Sequence, residues 1–205
     1  MLTGSVTSLI VIFWGVWILR GDRIRQESPA RVLLTLAFVF YLSRVIAATH
    51  FPLPISGDVI AQERILSAAG FGAGNNFVPF ETISAASISE FTFVRQVIGN
   101  FLLLTPLGFL APLLWERFKG FGCAIALVFG ATLAIEFTQL GISGILGFSY
   151  RSFDVDDIWL NALGGLFGFF LMRLTVKAVS SLWHQEAPAV TDSGLRETVP
   201  YQSGL

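Results

Sequence analysis

The sequence contains little charge, one cysteine and two histidines. Only 13% of its 205 residues are charged, and the formal net charge is -1. Nucleic-acid binding depends on clustered lysine and arginine, so this composition predicts no nucleic-acid partner. The single cysteine, Cys123, excludes a disulfide within the chain, and His50 and His184 are too far apart to form a metal motif. Phosphate-binding and dinucleotide-binding glycine loops are absent as well. We therefore expect neither a metal nor a cofactor.

Apolar residues dominate what is present, at 54% of the chain with 20 phenylalanines. Several apolar runs reach the length of roughly 20 residues that a helix needs to cross a bilayer. The sequence therefore predicts an all-α integral membrane protein with five transmembrane helices. We place these helices at about residues 2–19, 32–49, 93–115, 120–140 and 157–175. Pro106 is expected to kink the third helix, because its ring removes a backbone donor and clashes one turn back.

These spans divide the chain into four regions. Two helices occupy residues 1–49, and a long extracytoplasmic loop follows at residues 50–92. Three helices in residues 93–177 form the core, and the polar residues 178–205 are predicted to be a disordered cytoplasmic tail. Loops as long as the second region usually carry structure or function of their own. Two interpretations of residues 75–80 (NNFVPF) stay open: a re-entrant segment, or an ordinary loop anchored by its aromatic rings.

The distribution of positive charge predicts the topology. Basic residues cluster in the first and third loops and after the last helix, whereas the second and fourth loops are acidic. By the positive-inside rule, the C-terminus is cytoplasmic, and five spans then place the N-terminus outside. The clustered basic residues are Arg20, Arg23, Arg25, Arg31, Arg117, Lys119, Arg173 and Lys177.

Polar side chains from several spans are predicted to converge at the outer face. Individually they have structural explanations: Asp154 and Asp157 suit the first turn of a helix, and Arg151 suits an ion pair with one of them. Their convergence in an apolar chain favours one shared site, because polar groups inside a membrane are costly unless they pair or act. The predicted ligand-binding residues are Arg44, Asn76, Asn100, Glu136, Gln139, Arg151, Asp154, Asp157 and Asn161.

Gly164 and Gly168 lie one turn apart and form a small-xxx-small face in the last span. Such faces favour close contact between membrane helices. We interpret this face as a possible contact in a homo-oligomer.

Short motifs follow one another between about residue 70 and residue 170. They are Asn76–Phe80 (NFVPF), Asn100 followed by Pro106–Leu110 (PLGFL), Glu136–Gln139 (EFTQ), Arg151–Asp157 (RSFDVDD) and Asn161–Gly164 (NALG). In identity and order these motifs resemble the VanZ-like family of bacterial membrane proteins. The resemblance implies a multi-pass protein of the bacterial cytoplasmic (inner) membrane.

The resemblance also implies a role in the cell envelope. The member that gives the family its name is associated with low-level resistance to the glycopeptide teicoplanin. A glycopeptide or a lipid-linked cell-wall precursor is therefore an implied partner, in addition to the lipid bilayer. Members also occur in bacteria without a glycopeptide-resistance cluster, which implies that the antibiotic phenotype is one case of a more general role.

Three functions compete. In the first, the outer polar pocket binds a headgroup, a peptidoglycan precursor or a glycopeptide, and Arg44, Arg95 and Arg151 pair with its phosphate or carboxylate groups. In the second, the protein is an intramembrane enzyme acting on a lipid-linked substrate. Its candidate catalytic residues are Glu136, as general base, and Asp154 and Asp157, which orient it or hold a cation. The third is a small transporter, against which the absence of inverted repeats counts.

Overall fold

The structure is a computed structural model that describes residues 9, 13–15, 27–71, 74–86 and 90–186. Within these ranges the regular elements are helices, and no strand is present. The chain divides into two compact units, Met1–Arg173 and Leu174–Leu205, and the core and the candidate site belong to the first. The α-helices in chain order are α1 (Pro29–His50), α2 (Gly57–Ala68), α3 (Glu81–Ala86), α4 (Glu90–Thr92), α5 (Gly99–Leu103), α6 (Thr105–Leu114), α7 (Phe121–Leu146) and α8 (Val155–Glu186).

Four helical stretches are long and apolar enough to cross a membrane. They are Pro29–His50, Phe93–Leu114, Phe121–Leu146 and Val155–Leu182. These stretches correspond to the second to fifth predicted spans and support a multi-pass membrane protein. The predicted first span, residues 2–19, lies mostly outside the described residues.

Two predicted boundaries are corrected. Helix α7 extends to Leu146, past the predicted end near Leu140, and it ends where Gly147 adopts a positive φ of 74°. Glycine takes this left-handed conformation readily, so it is a natural stop for a helix. Helix α8 continues to Glu186, whereas the disordered tail was expected to begin at residue 178. The rest of that predicted tail, residues 187–205, lies outside the described residues.

The third predicted span is interrupted at Leu104, two residues before Pro106, where the sequence predicts a kink. A π-helical segment, Phe93–Ile98, precedes α5, and α5 is separated from α6 by Leu104, whose φ and ψ are -100° and 1°. Pro106 lies in the first turn of α6, where a missing N–H costs little because that group has no partner within the helix. The span is therefore two helical pieces joined at Leu104.

Glycines allow α8 to touch this broken span. A Cβ atom on Gly164 would lie 1.6 Å from the carbonyl oxygen of Phe101, and one on Gly168 would lie 1.9 Å from that of Thr105. The Thr105 hydroxyl donates a hydrogen bond to the Gly164 carbonyl at 3.1 Å. The face that the sequence assigned to a homo-oligomer is thus occupied by the chain's own α5 and α6.

The predicted extracytoplasmic loop contains three helices among its described residues, α2, α3 and α4. Arg64 of α2 donates from Nε to the carbonyl of Leu146 at 2.6 Å, which holds α2 at the C-terminal end of α7. The Phe77 ring stacks on Phe153 with a centroid distance of 5.2 Å, so aromatic contact anchors the later part of the loop.

Candidate functional site

One face of α7 changes from apolar to polar along its length. Its buried residues are Ala124, Val128, Thr132, Glu136, Gln139 and Ser143. These positions recur every three or four residues, so they share one side of the helix. Helix α8 runs back from the end of α7 and begins with a group of aspartates. The polar half of α7 and the start of α8 therefore meet, and Glu136 Oε2 accepts a hydrogen bond from the Asp154 N–H at 3.2 Å.

Asn76 joins the loop to the start of α8. Its N–H donates to Phe153 O at 2.8 Å, and its own carbonyl accepts from the Val155 N–H at 3.1 Å. The Asn76 side-chain amide donates to Asp154 Oδ1 at 2.9 Å, and the Thr82 hydroxyl donates to Asp154 Oδ2 at 2.6 Å. Two residues predicted to bind a ligand, Asn76 and Asp154, are therefore bonded to each other. Much of their hydrogen-bonding capacity holds the loop in place.

Asp156 is a structurally important residue that the sequence prediction missed. It is fully buried, and its carboxylate accepts from the Phe80 N–H at 2.6 Å and the Ile83 N–H at 3.2 Å. These N–H groups lie at the start of α3, where a helix has no internal acceptors, so Asp156 caps α3 from a distant part of the chain. The sequence feature that could have indicated this role is the Pro79–Phe80 turn, which precedes the start of a helix. It indicates a need for an acceptor but not which carboxylate supplies it.

The C-terminal end of α1 is capped by three side chains from α7 and the following loop. The last carbonyls of a helix lack partners within it and carry partial negative charge, which favours N–H donors and cations. The donor–acceptor pairs are Gln139 Nε2 to Thr49 O (2.8 Å), Tyr150 Oη to His50 O (2.6 Å) and Arg151 Nη2 to Phe51 O (2.6 Å). Burial raises the pKa of Tyr150 above its ordinary value, so its hydroxyl stays protonated and able to donate. Gln139 and Arg151 thus have a structural task as well.

These elements border an open cavity of about 840 Å³. The ends of α1 and α7, the π-helical segment, α5, the loops and the start of α8 all contribute to its wall. Most of the predicted ligand-binding residues line it, namely Asn76, Asn100, Gln139, Arg151, Asp154 and Asp157. The structure therefore brings six of the nine predicted residues together around one cavity. Arg95, Gln96 and Tyr150 also line the wall.

The other predicted ligand-binding residues do not line this cavity, among the residues that the structure describes. Arg44 is exposed on α1. Glu136 is 1% exposed and lies behind Asp154, so it positions that residue without facing the open space. Asn161 is also 1% exposed, and its Oδ1 atom has no hydrogen-bond partner in the described part of the chain.

Both signs of charge line the cavity without forming ion pairs. Asp157 accepts a hydrogen bond from the Asn100 amide. In the part of the chain that the structure describes, ion pairs join Arg31 to Glu27 and Lys119 to Glu116, and none involves Arg95 or Arg151. Among those same residues, no group of three or more His, Cys, Asp or Glu is placed to hold a metal ion. The wall therefore offers guanidinium donors, amides and carboxylates to a polar ligand.

Comparison with known proteins identifies a family. A family model described as VanZ/LLP1 matches residues 38–176, which is more than half of the chain. No curated protein and no solved structure matches the chain. The matched range contains every predicted ligand-binding residue.

Proposed function

The chain belongs to the VanZ/LLP1 family, and from this premise we propose that it is a cell-envelope membrane protein whose polar cavity binds an envelope ligand. The ligand classes are a lipid headgroup, a peptidoglycan precursor and a glycopeptide. A glycopeptide ligand would connect the cavity to lowered susceptibility to teicoplanin, because drug held at the membrane protein is kept from its target.

The observation that carries this proposal is the polar wall of the cavity. Its volume of about 840 Å³ lies within the range of roughly 300–1,000 Å³ that is usual for ligand sites. Arg95, Arg151 and Asp157 face the same space, and the two arginines are not neutralised by carboxylates in the described part of the chain. Such groups inside a membrane protein generally mark a binding site or pathway.

We place the protein in the bacterial cytoplasmic membrane with five spans, the N-terminus and the cavity outside and the C-terminus in the cytoplasm. Successive spans alternate in direction, and the cavity lies where α1 and α7 end and α8 begins. Basic residues lie at the other ends of the helices. Arg31, at the start of α1, donates to the carbonyl of Leu114 at 3.3 Å, and Lys119 follows in the next turn. The positive-inside rule then supports the outward orientation of the cavity.

The proposed function predicts that Asp157→Asn impairs the protein. This substitution keeps the size of a side chain on the cavity wall and replaces the carboxyl group that accepts from Asn100 with an amide. We expect wild-type protein, expressed in a susceptible Gram-positive host, to lower teicoplanin susceptibility and to retain labelled glycopeptide at the membrane. An equally abundant Asp157→Asn protein should lose both effects. Glu81→Gln, an exposed carboxylate of α3 outside the cavity wall, is the control and should behave as wild type.

Two results of this experiment would contradict the glycopeptide assignment or the cavity as the binding site. If wild type neither protects nor retains the label, the ligand is not a glycopeptide, and headgroups and precursors are the classes to test. If Asp157→Asn protects as well as wild type, the cavity is not the site.

An intramembrane enzyme is the alternative function, and one observation favours it. Asp154 and Asp157 present carboxylates to the cavity, and Glu136 contacts Asp154 directly from behind. Glu136 does not itself face the cavity, and its contact is with the backbone N–H of Asp154, so in this alternative it would position Asp154. A lipid-linked substrate whose mass changes on incubation with the purified protein would favour this alternative. Binding with unchanged mass would favour the proposal above.

A further inference from the structure

We propose that the ligand of this cavity is a phosphate-bearing lipid. Its phosphate lies at Arg95 and Arg151, and its acyl chains lie along the exposed apolar residues that begin at Phe91. This inference rests on the proposed function, because it assumes that the cavity binds an envelope ligand, and it names the chemical class of that ligand.

The first step of the argument is the environment of Arg95. It lies in the π-helical segment Phe93–Ile98, within a stretch long and apolar enough to span a membrane. Its neighbours Val94 and Ile98 are 52% and 40% exposed, so the guanidinium emerges among apolar side chains. A cation in such a place needs water or an anion, and it has no carboxylate partner in the described part of the chain. π-Helical turns are frequent at functional sites.

The second step is the presence of another guanidinium on the same wall. Arg151 lines the cavity and uses Nη2 to cap α1 through Phe51 O. A guanidinium carries further N–H donors in a planar fork, and this geometry matches two oxygens of one phosphate. The side chains of Gln96 and Asn100 add amide groups suited to the ester and hydroxyl oxygens of a headgroup.

The third step distinguishes a lipid from a soluble anion. Phe91 also lines the cavity, and its side chain is 75% exposed. The cavity wall therefore continues into the apolar surface of Val94 and Ile98. An amphiphile gains burial of its chains there in addition to the phosphate contacts, whereas a free anion gains only the latter.

Binding to the purified full chain tests the inference. The protein would be prepared in dodecyl maltoside, which contains no phosphate, and titrated with dioctanoyl phosphatidic acid, dioctanoylglycerol or inorganic phosphate. Bound adducts would be counted by native mass spectrometry. We expect the phosphatidic acid to bind about tenfold or more tightly than either of the other two. Dioctanoylglycerol lacks the phosphate that makes the charge-assisted bidentate contact, and inorganic phosphate lacks the acyl chains. Either loss should weaken binding by at least that factor.

A pair of arginine variants provides the matched control. Arg95→Gln should weaken phosphatidic acid binding about tenfold. Arg117→Gln removes an exposed arginine from the turn after α6, outside the cavity wall, and it should bind as wild type. Equal thermal stability and elution of the variants would show that both fold.

Three results would overturn the inference: unchanged binding by Arg95→Gln, equal losses in both variants, or inorganic phosphate binding as tightly as the lipid. Teicoplanin and a phosphate-free muramyl pentapeptide would be titrated in parallel. They distinguish failure of the phosphate-lipid inference from failure of the proposed ligand-binding function. If either of them binds and Asp157→Asn abolishes that binding, the cavity is a ligand site but not for a phosphate lipid. If no ligand binds, both proposals fail.

Discussion

Three aspartates within four positions have three different tasks. Asp154 is bonded to the loop through Asn76, Asp156 caps the start of α3, and Asp157 faces the cavity and accepts from Asn100. Successive residues at the start of a helix point in directions about 100° apart, so adjacent carboxylates reach different neighbours. The apolar surroundings make each of these partners necessary, since a buried carboxylate without one is costly.

Asp156 gives the clearest prediction for a single residue. Asp156→Ala should destabilise the protein by about 1–3 kcal/mol, because the N–H groups of Phe80 and Ile83 would lose their acceptor. The loop should open locally, and limited proteolysis should cleave it faster than in wild type. Glu81→Ala removes an exposed carboxylate from α3, the helix that Asp156 caps, and should leave the cleavage rate nearly unchanged. Equal cleavage of the two variants would show that Asp156 does not hold the loop.

The sequence predicts which residues meet but not how each is used. The spacing of Glu136 with Gln139, and of Asp154 with Asp157, indicates shared faces at the ends of spans, and most of these residues do line one cavity. The capping of α1 by Gln139 and Arg151 depends on contacts far apart in the chain, between residues 49–51 and 139–151. No local pattern encodes such pairings. Arg44 was predicted to lie at the site because of its position along the second span, but that position does not determine the direction of a side chain. In the structure Arg44 is exposed and does not line the cavity.

At the scale of helices, backbone contact decides the packing of α8. Gly164 and Gly168 bring it against the carbonyls of Phe101 and Thr105. The small-xxx-small pattern correctly indicates close helix contact, but it does not identify the partner helix. The break at Leu104 is easier to predict, because Pro106 follows it by two residues and a proline disturbs a helix through its own backbone and ring.

This contact predicts opposite effects of two glycine substitutions. Gly164→Ala should destabilise the protein by at least about 3 kcal/mol, the upper part of the usual cost of overpacking, because the added carbon meets backbone that cannot rotate away. Gly130→Ala, in α7, meets nothing within 4 Å and should stabilise by about 0.5–1 kcal/mol through helix propensity. Thermal melts in detergent, followed by the loss of monodisperse protein, would measure both. A neutral Gly164→Ala would contradict the close contact of α8 with α5.

At the scale of the whole molecule, the two ends of the spans differ in chemistry. One end carries the cavity with its mixed charges and amides, and the other carries Arg31, Arg117 and Lys119. Because successive spans run in opposite directions, successive loops lie at opposite ends of the spans, and the two groups of loops are thereby separated. Hydropathy and charge order along the chain are enough to predict it, since both follow from the surrounding bilayer and not from specific packing.

The proposed orientation predicts the labelling pattern of single cysteines in whole cells. With Cys123 replaced by serine, Asp58→Cys on α2 should react with a membrane-impermeant maleimide in intact cells, because the loop that holds Arg64 at the end of α7 lies at the cavity end. Lys119→Cys, in the exposed turn after α6, should react only after the membrane is permeabilised. Both positions are charged residues with exposed side chains, so differences in reactivity report the side of the membrane. The reverse pattern would place the cavity in the cytoplasm, and an extracellular glycopeptide could then not be its ligand.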